Sequence, residues 1–326
     1  MRCGRPLFDD YVMVDWSAAN APRRGRDSIW LCHLERSGGG HAALTALENP
    51  PTRRLAEARL RALLVDARER RRSLLLGCDF AFGYASGFAA RLGLAGPPWR
   101  GVWDTIAGGL TDGRDNRSNR FDLAASLNRR VSGGAFPFWG CPAGRAGPHL
   151  AMTHHRRHIA EGLAEARLVD RLVPGIQPGW KLAGAGSVGS QTLTGIPVLR
   201  RLREDPDLAP AARLWPFEIG LRKLGRDDVA AMLVIAEIYP SLVALAPGPQ
   251  EVKDAAQVRA TARHFAELDE GGALGRLFAG DPALSEAERR RVEREEGWVL
   301  GVTGPARRCA EAPRPRRSPP PATLSA

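Results

Sequence analysis

The sequence lacks both the cysteine spacing of a structural zinc site and any apolar run long enough to cross a membrane. Its five cysteines are scattered, and no two form a C-x-x-C pair, which argues against a zinc-binding module. The longest apolar runs fall far below the roughly 18 residues that span a bilayer. The first ten residues carry acids where a secretory signal would be apolar, so we expect a cytoplasmic protein with no membrane partner. No internal repeat is visible.

The composition is that of a globular chain with an excess of positive charge. The 326 residues are 44% hydrophobic and 25% charged, enough for one large domain or two moderate ones. The formal net charge of +11 suits a polyanionic partner such as nucleic acid or a nucleotide. Residues 301–326 hold five arginines against one glutamate, so part of this charge is peripheral.

The order of apolar and amphipathic segments predicts an α/β fold. Short apolar runs predict strands, and a segment with leucines on one face and arginines on the other predicts a helix. Strands, then a helix, then a strand that is apolar on both faces indicate a mixed sheet flanked by helices. The predicted strands span residues 11–15, 27–34, 42–47, 73–79 and 229–237, and the predicted helices span residues 52–72, 152–172, 254–268 and 285–296.

Residues 8–302 are predicted to form one domain with a large insertion. The stretch of about residues 85–180 is rich in glycine, proline and arginine, with short helical patches near residues 85–92 and 121–130. We interpret it as a helical and irregular insertion over the active edge of the sheet. Residues 303–326 are rich in proline and arginine, a composition typical of a disordered tail.

Four acidic residues stand at the ends of apolar runs, and they are Asp15, Asp79, Glu237 and Asp254. A carboxylate at the end of a buried strand is costly unless a cation neutralises it. Four such acids in separate segments suggest strand ends that converge on a shared ion, and hard cations such as Mg²⁺ or Mn²⁺ prefer oxygen ligands. We therefore predict that all four are catalytic and bind the metal. The ordinary alternatives are a turn cap for Asp15 and a helix N-cap for Asp254.

Polar residues near these acids are candidates for substrate binding. Residues 184–189 match the dinucleotide fingerprint G-x-G-x-x-G. A Rossmann site is disfavoured because the preceding segment is a poor strand, and because Gly195 and Pro197 should interrupt the following helix early. We expect instead a loop whose backbone approaches a phosphate. The candidate substrate-binding residues are Ser17, Lys181, Ser187, Gln191 and Arg120.

A histidine-rich segment, Thr-His-His-Arg-Arg-His at residues 153–158, offers a second type of site. His154 and His158 have the i, i+4 spacing that a zinc-binding helix would use. No glutamate lies between them, and two arginines would repel a cation. The favoured interpretation is a solvated basic helix face.

The acidic motifs, taken together over roughly residues 10–270, resemble domain-of-unknown-function family 429, a predicted group of nucleases with a ribonuclease-H-like fold. The resemblance implies that Asp15 lies on the first strand and Asp79 ends a neighbouring strand, with Glu237 and Asp254 completing the acidic set. The chain is also similar to a bacterial branch of this family, some members of which carry a label for molybdopterin guanine dinucleotide synthesis. The motifs are Val14-Asp15-Trp-Ser, Gly77-Cys-Asp79-Phe-Ala-Phe-Gly, Glu237-Ile-Tyr-Pro and Lys253-Asp254-Ala.

These patterns predict a hydrolase, a metal-dependent phosphodiesterase or nuclease that acts on nucleic acid or a nucleotide with Mg²⁺ or Mn²⁺. Two alternatives stay open. A non-catalytic nucleotide-binding protein, related to molybdopterin guanine dinucleotide synthesis, would use the glycine-rich loop. A phosphotransferase of the sugar-kinase and actin type would need phosphate loops in two duplicated halves, and here Trp16 stands where a glycine is wanted.

Overall fold

A six-stranded sheet of mixed direction organises the chain. A computed structural model describes residues 5–37, 40–154, 158–184, 186–245, 248 and 251–305. The strand order is β3-β2-β1-β4-β6-β5. The strands are β1 (Asp10–Asp15), β2 (Trp30–Arg36), β3 (Ala42–Glu48), β4 (Leu74–Cys78), β5 (Ala212–Leu214) and β6 (Leu233–Glu237).

Strand direction changes at the middle of the sheet. Strands β1, β2 and β3 form an antiparallel meander, whereas β4 runs parallel to both β1 and β6, and β5 runs parallel to β6. The predicted α/β class with a mixed sheet is therefore confirmed. Strand β5 was not predicted, because three residues carry too little periodicity to be recognised. Most of the predicted tail, from residue 306 onward, lies outside the described residues.

Helices cover both faces of the sheet. On one face the alternate residues Val12 and Val14 of β1 pack with helices α1 (Arg53–Glu69) and α7 (Gly189–Glu204), and on the other Tyr11 and Met13 pack with α8 (Lys253–Glu270). No helix in the described ranges is long and apolar enough to cross a membrane. The helices are α1 (Arg53–Glu69), α2 (Phe88–Arg91), α3 (Pro98–Gly109), α4 (Arg120–Ser132), α5 (His158–Glu161), α6 (Leu168–Leu172), α7 (Gly189–Glu204), α8 (Lys253–Glu270), α9 (Leu274–Leu277) and α10 (Glu286–Arg291).

The predicted helix over residues 152–172 is wrong. Among its described residues, this stretch contains only the short helices α5 and α6. Gly162 follows α5 with a φ of 64°, the left-handed conformation that ends a helix and that glycine adopts at least cost. The amphipathic pattern therefore covers two separate short helices and not one long helix.

Helix α7 continues through the two residues expected to interrupt it. It runs from Gly189 to Glu204 with Pro197 inside, and most of its residues are buried. Packing on the sheet outweighs the lost hydrogen bond of Pro197, which costs about 3 kcal/mol in an isolated helix. Gly195 has a different role, because a Cβ there would lie 2.3 Å from the ring of Phe80. The glycine lets this ring pack directly against the helix backbone.

We expect Gly195→Ala to lower the free energy of unfolding by roughly 1–3 kcal/mol, because the added methyl group overpacks the contact with Phe80. The matched control is Gly108→Ala in α3, where a Cβ meets no atom within 4 Å. There the substitution should stabilise by about 0.5–1 kcal/mol, since alanine restricts the unfolded chain. Urea unfolding of both variants tests the contact, and equal stabilities would show that the Phe80 ring moves aside freely.

Candidate active site

Two of the predicted acids lie side by side at the carboxyl ends of parallel strands. Strand β1 ends at Asp15, and Asp79 directly follows β4. The register pairs Val14 with Cys78, so the next residue on each strand is an acid. The two carboxyl groups are close enough to share a hydrogen bond, which would require a proton on one of them. The backbone N–H of Trp16 also donates to Oδ1 of Asp79 at 2.7 Å.

Electrostatics disfavour two negative charges at this position. Burial, together with the neighbouring carboxyl of Asp79 and the charge of Asp254, raises the pKa of Asp15 well above its ordinary value. Burial raises the pKa of Asp79 to about 6, although the hydrogen bond from Trp16 works against this rise. Neither acid has an ion-pair partner among the described residues. A cation at this position would remove the repulsion between the two carboxylates.

The acid pair opens into a cleft of about 240 Å³. Its wall comes from the ends of β4 and β6, the turn before α7, and residues 175–177. Five of the predicted site residues line it together: Asp15, Asp79, Glu237, Ser187 and Gln191. A wider groove of about 590 Å³ between α1 and α7 is less suited to a charged ligand, because three of its four arginines pair with its own acids, as Arg201 does with Glu57.

Glu237 is neutralised by an arginine that the sequence analysis did not identify. Both of its carboxylate oxygens accept hydrogen bonds from Arg167, at 2.6 and 2.8 Å, and Oε2 also accepts the N–H of Phe82 at 2.9 Å. Arg167 pairs in addition with Asp170 at 2.9 Å. Burial alone would lower the pKa of Arg167, but the two carboxylates raise it well above its ordinary value. This buried ion-pair network forms one wall of the cleft.

Register explains why Glu237 has partners different from those of the acid pair, although all three residues line the cleft. It lies opposite Cys78, one position before Asp79 in the sheet. Because side chains alternate between faces, a one-residue offset directs it towards the opposite face of the sheet. The presence of an acid at the end of an apolar run does not show which face of the sheet its side chain occupies.

Asp254 lies near the acid pair without lining the same cleft. It is the second residue of α8, and Val252 rather than Asp254 is the N-cap. Its Oδ2 accepts the backbone N–H of Asp27 at 2.7 Å. Its charge contributes to the raised pKa of both Asp15 and Asp79. The helix-cap alternative is therefore wrong, and the carboxylate is close enough to act electrostatically on the pair.

Two of the candidate substrate-binding residues, Ser17 and Lys181, make contacts away from the cleft. The Ser17 hydroxyl donates to the carbonyl of Asp27 at 3.1 Å and accepts the N–H of Ala19 at 3.2 Å, so it stabilises a turn. The ammonium group of Lys181 lies 5.6 Å from the centre of the Trp139 ring. Neither residue belongs to the described lining of the cleft.

Arg120 lacks a carboxylate partner within the part of the chain that the structure describes. Its guanidinium donates to the hydroxyls of Ser190 and Ser118 and to the amide oxygen of Asn20, each at 3.1 Å. Burial, followed by repulsion from the Arg53 guanidinium, lowers the pKa of Arg120 to about 10. It lies beside the first turn of α7, next to the cleft residue Gln191. Its unbalanced positive charge favours an anion nearby.

The glycine-rich loop is not a Rossmann turn in its described part. Lys181 makes only an isolated bridge with Trp139, so the segment before the loop is not a strand. The N–H of Gly189 donates to the carbonyl of Lys181 at 2.9 Å, and a Cβ at Gly189 would lie 2.5 Å from the carbonyl oxygen of Gly179. Ala185 lies outside the described residues. The glycine at 189 serves this close backbone contact.

A group of side chains that could hold a metal occurs away from the acid pair. The ligand atoms of His154, His158 and Glu165 all lie within 4.8 Å of one another, and this is the one such group of three or more in the described ranges. No three of the four predicted acids therefore have ligand atoms that all lie within 4.8 Å of one another. His158 is only 4% exposed, so the expected solvated histidine face is wrong for this residue.

Comparisons of the chain with protein-family models, with curated proteins and with solved structures give no match.

Proposed function

We propose that the protein is a metal-dependent phosphodiesterase that acts on nucleic acid or a nucleotide, with Asp15 and Asp79 as the metal-binding pair. The observation that carries this proposal is the contact between two carboxyl groups that have no cationic partner among the described residues. Two neighbouring carboxylates that line a cleft repel each other, and a divalent cation bound between them would remove this repulsion.

The fold supports this proposal and the ribonuclease-H-like class that the family resemblance implies. Asp15 ends the central strand β1, and Asp79 follows its parallel neighbour β4, which is the relative placement expected from the resemblance. Residues 79–211, between β4 and β5, include the predicted insertion of about residues 85–180, and this long connection contributes Arg167, Ser187 and Gln191 to the cleft.

The donor set at the acid pair fits Mg²⁺ or Mn²⁺, because both ions take carboxylate oxygens. Asp15 and Asp79 would hold the ion, and Asp254 would add negative charge from α8. Glu237 is better assigned a positioning role, since Arg167 occupies both of its oxygens. When bound, such an ion supplies Lewis-acid polarisation of a phosphoryl oxygen and lowers the pKa of the attacking water.

The other cleft residues would orient the substrate. Gln191 donates its amide N–H to the carbonyl of Trp16 at 2.9 Å, which fixes the carboxamide beside the acid pair. The Ser187 hydroxyl lines the opposite part of the cleft and can donate to a phosphate oxygen. Arg120, beside the first turn of α7, would attract the polyanionic part of the substrate. The positive net charge of the chain would strengthen this attraction.

A cleavage assay tests the proposal. The wild-type protein is incubated with single- and double-stranded DNA, RNA, hybrids and dinucleotides, in Mg²⁺ or Mn²⁺ and in excess chelator. We expect cleavage that requires the metal and is lost in the Asp15→Asn/Asp79→Asn double variant. Failure of the folded wild-type protein to cleave any substrate would contradict the proposal, as would cleavage by the double variant.

A nucleotide-binding role without catalysis is the second candidate function. It is favoured by Gly186, Ser187 and Val188, which place the backbone of the glycine-rich loop on the wall of the cleft. Such a protein would be stabilised against heat by nucleotides without turning them over. A thermal-shift series with nucleotides beside the cleavage assay therefore separates the two functions.

A further inference from the structure

The cluster of His154, His158 and Glu165 is separate from the acid pair. These three side chains line their own cavity of about 690 Å³, which shares no described lining residue with the acid cleft. All three come from a stretch of twelve residues in the insertion. His158 begins α5, and Glu165 follows it in the segment that leads to Arg167.

His158 has the hydrogen-bonding pattern of a metal ligand. It is only 4% exposed, and its Nδ1 lies 3.1 Å from the carbonyl oxygen of Leu163. A carbonyl only accepts, so Nδ1 carries the proton and the neutral ring has its lone pair on Nε2. This Nε2 is buried and has no hydrogen-bond partner. A buried acceptor without a hydrogen-bond partner requires an explanation. In metal-binding histidines one ring nitrogen binds the metal while the other donates its N–H to a group such as a backbone carbonyl, which is the arrangement seen at His158.

Aromatic rings hold the two histidines in place. The ring centre of His158 lies 4.7 Å from that of Phe136 and 5.3 Å from that of His154. His154 in turn packs on Trp139, with ring centres 5.4 Å apart. These contacts exclude water from one side of the cluster, while His154 and Glu165 remain exposed at the mouth of the cavity. The site is therefore open to an ion from solvent.

We propose that His154, His158 and Glu165 bind one Zn²⁺ ion, with water completing the coordination. Two imidazoles and one carboxylate are ligands that zinc takes and that Mg²⁺ does not prefer. Around a tetrahedral zinc with bonds of about 2.0–2.1 Å, ligand atoms lie roughly 3.4 Å apart. The ligand atoms already lie within 4.8 Å of one another, so small movements of the exposed His154 and Glu165 side chains can reach this geometry. The ion would anchor the segment that carries Arg167 into the wall of the acid cleft.

Titration of the untagged, metal-stripped full chain with Co²⁺ tests this site, because tetrahedral Co²⁺ absorbs visibly. We expect one equivalent to bind with intense visible bands and to be displaced by Zn²⁺. His154→Gln and Glu165→Gln change exposed side chains, and each should weaken binding by more than about 100-fold, since the loss of even an outer hydrogen bond costs 10–100-fold. His158→Gln should abolish the bands.

Two control variants make the assignment specific. His264→Gln removes a histidine on α8 that lies outside the cluster and should bind Co²⁺ like the wild-type protein, and Asp15→Asn, which alters the acid pair, should keep the intense visible bands. The proposal is overturned if the wild-type protein binds no Co²⁺, or if His154→Gln and Glu165→Gln keep full affinity while remaining folded by circular dichroism. Loss of the intense bands in Asp15→Asn would place the absorbing Co²⁺ ion at the acid pair instead.

Discussion

Asp15→Asn should abolish metal-dependent cleavage, lowering kcat by at least about 100-fold. The substitution keeps the shape of the side chain but removes one of the two charges proposed to hold the cation. Metal-assisted stabilisation of a phosphoryl transition state is worth several kcal/mol, and each 1.36 kcal/mol corresponds to a factor of ten in rate. The matched control is Asp27→Asn, an exposed acid whose backbone N–H contacts Asp254 and which should keep most of the activity.

The same variant should gain stability in the absence of metal. In the wild-type protein the pKa of Asp79 is raised to about 6 and that of Asp15 is raised well above its ordinary value, so the folded state binds more protons than the unfolded chain from about pH 4 to at least about pH 6. Stability should therefore fall as the pH rises through this window. Asp15→Asn should flatten this fall and raise Tm at pH 7.5, and Mg²⁺ should stabilise only the wild-type protein. An unchanged pH profile of Tm in the variant would show that the two carboxyl groups do not interact.

Arg167→Met should cause the largest loss of stability of any single substitution considered for this protein. Arg167 is the cation that neutralises Glu237 and Asp170, and all three side chains are at most 5% exposed. Removing one partner of a buried ion pair leaves uncompensated charge and costs about 3–5 kcal/mol. For a chain of this size, that loss corresponds to a fall in Tm of roughly 10 °C.

A second arginine provides the matched control for Arg167. Arg203 also makes a two-pronged ion pair, with Glu218, but both side chains are about one-fifth exposed. Arg203→Met should therefore cost about 1 kcal/mol. The double variant Arg167→Met/Glu237→Gln should lose less stability than the sum of its parts, because one unpaired charge has been removed. Equal losses for Arg167→Met and Arg203→Met would show that water reaches the Arg167 pair.

The choice of Asp15 and Asp79 as candidate site residues was accessible from the sequence, since it depends only on local features. Each acid ends a short apolar run, and parallel neighbours bring their carboxyl ends to one edge of a sheet. The mixed sheet was predictable for the same reason, because most of its strands and α1 carry a clear period. What the sequence could not supply was the strand order, which decides that β1 and β4 are neighbours.

The position of Glu237 could not be derived, because two tertiary facts determine it. One is the register of β6 against β4, which sets the face that the side chain occupies. The other is Arg167, an arginine in an insertion segment with no recognisable pattern around it, whose partner is 70 residues away in the chain. The prediction that Gly195 and Pro197 interrupt the helix is wrong for a similar reason. Burial of α7 on the sheet outweighs the local preference of Pro197 for ending a helix.

The interior position of β4 has a consequence for how the protein is made on the ribosome. Leu74 of β4 pairs with Leu233 of β6, 159 positions later in the chain, whereas β1, β2 and β3 are joined by short connections. At a synthesis rate of about 5–20 residues per second, the nascent chain waits on the order of ten seconds or more for β6. During that interval the leucine-rich β4 has an unpaired edge, the kind of surface that invites aggregation and recruits chaperones.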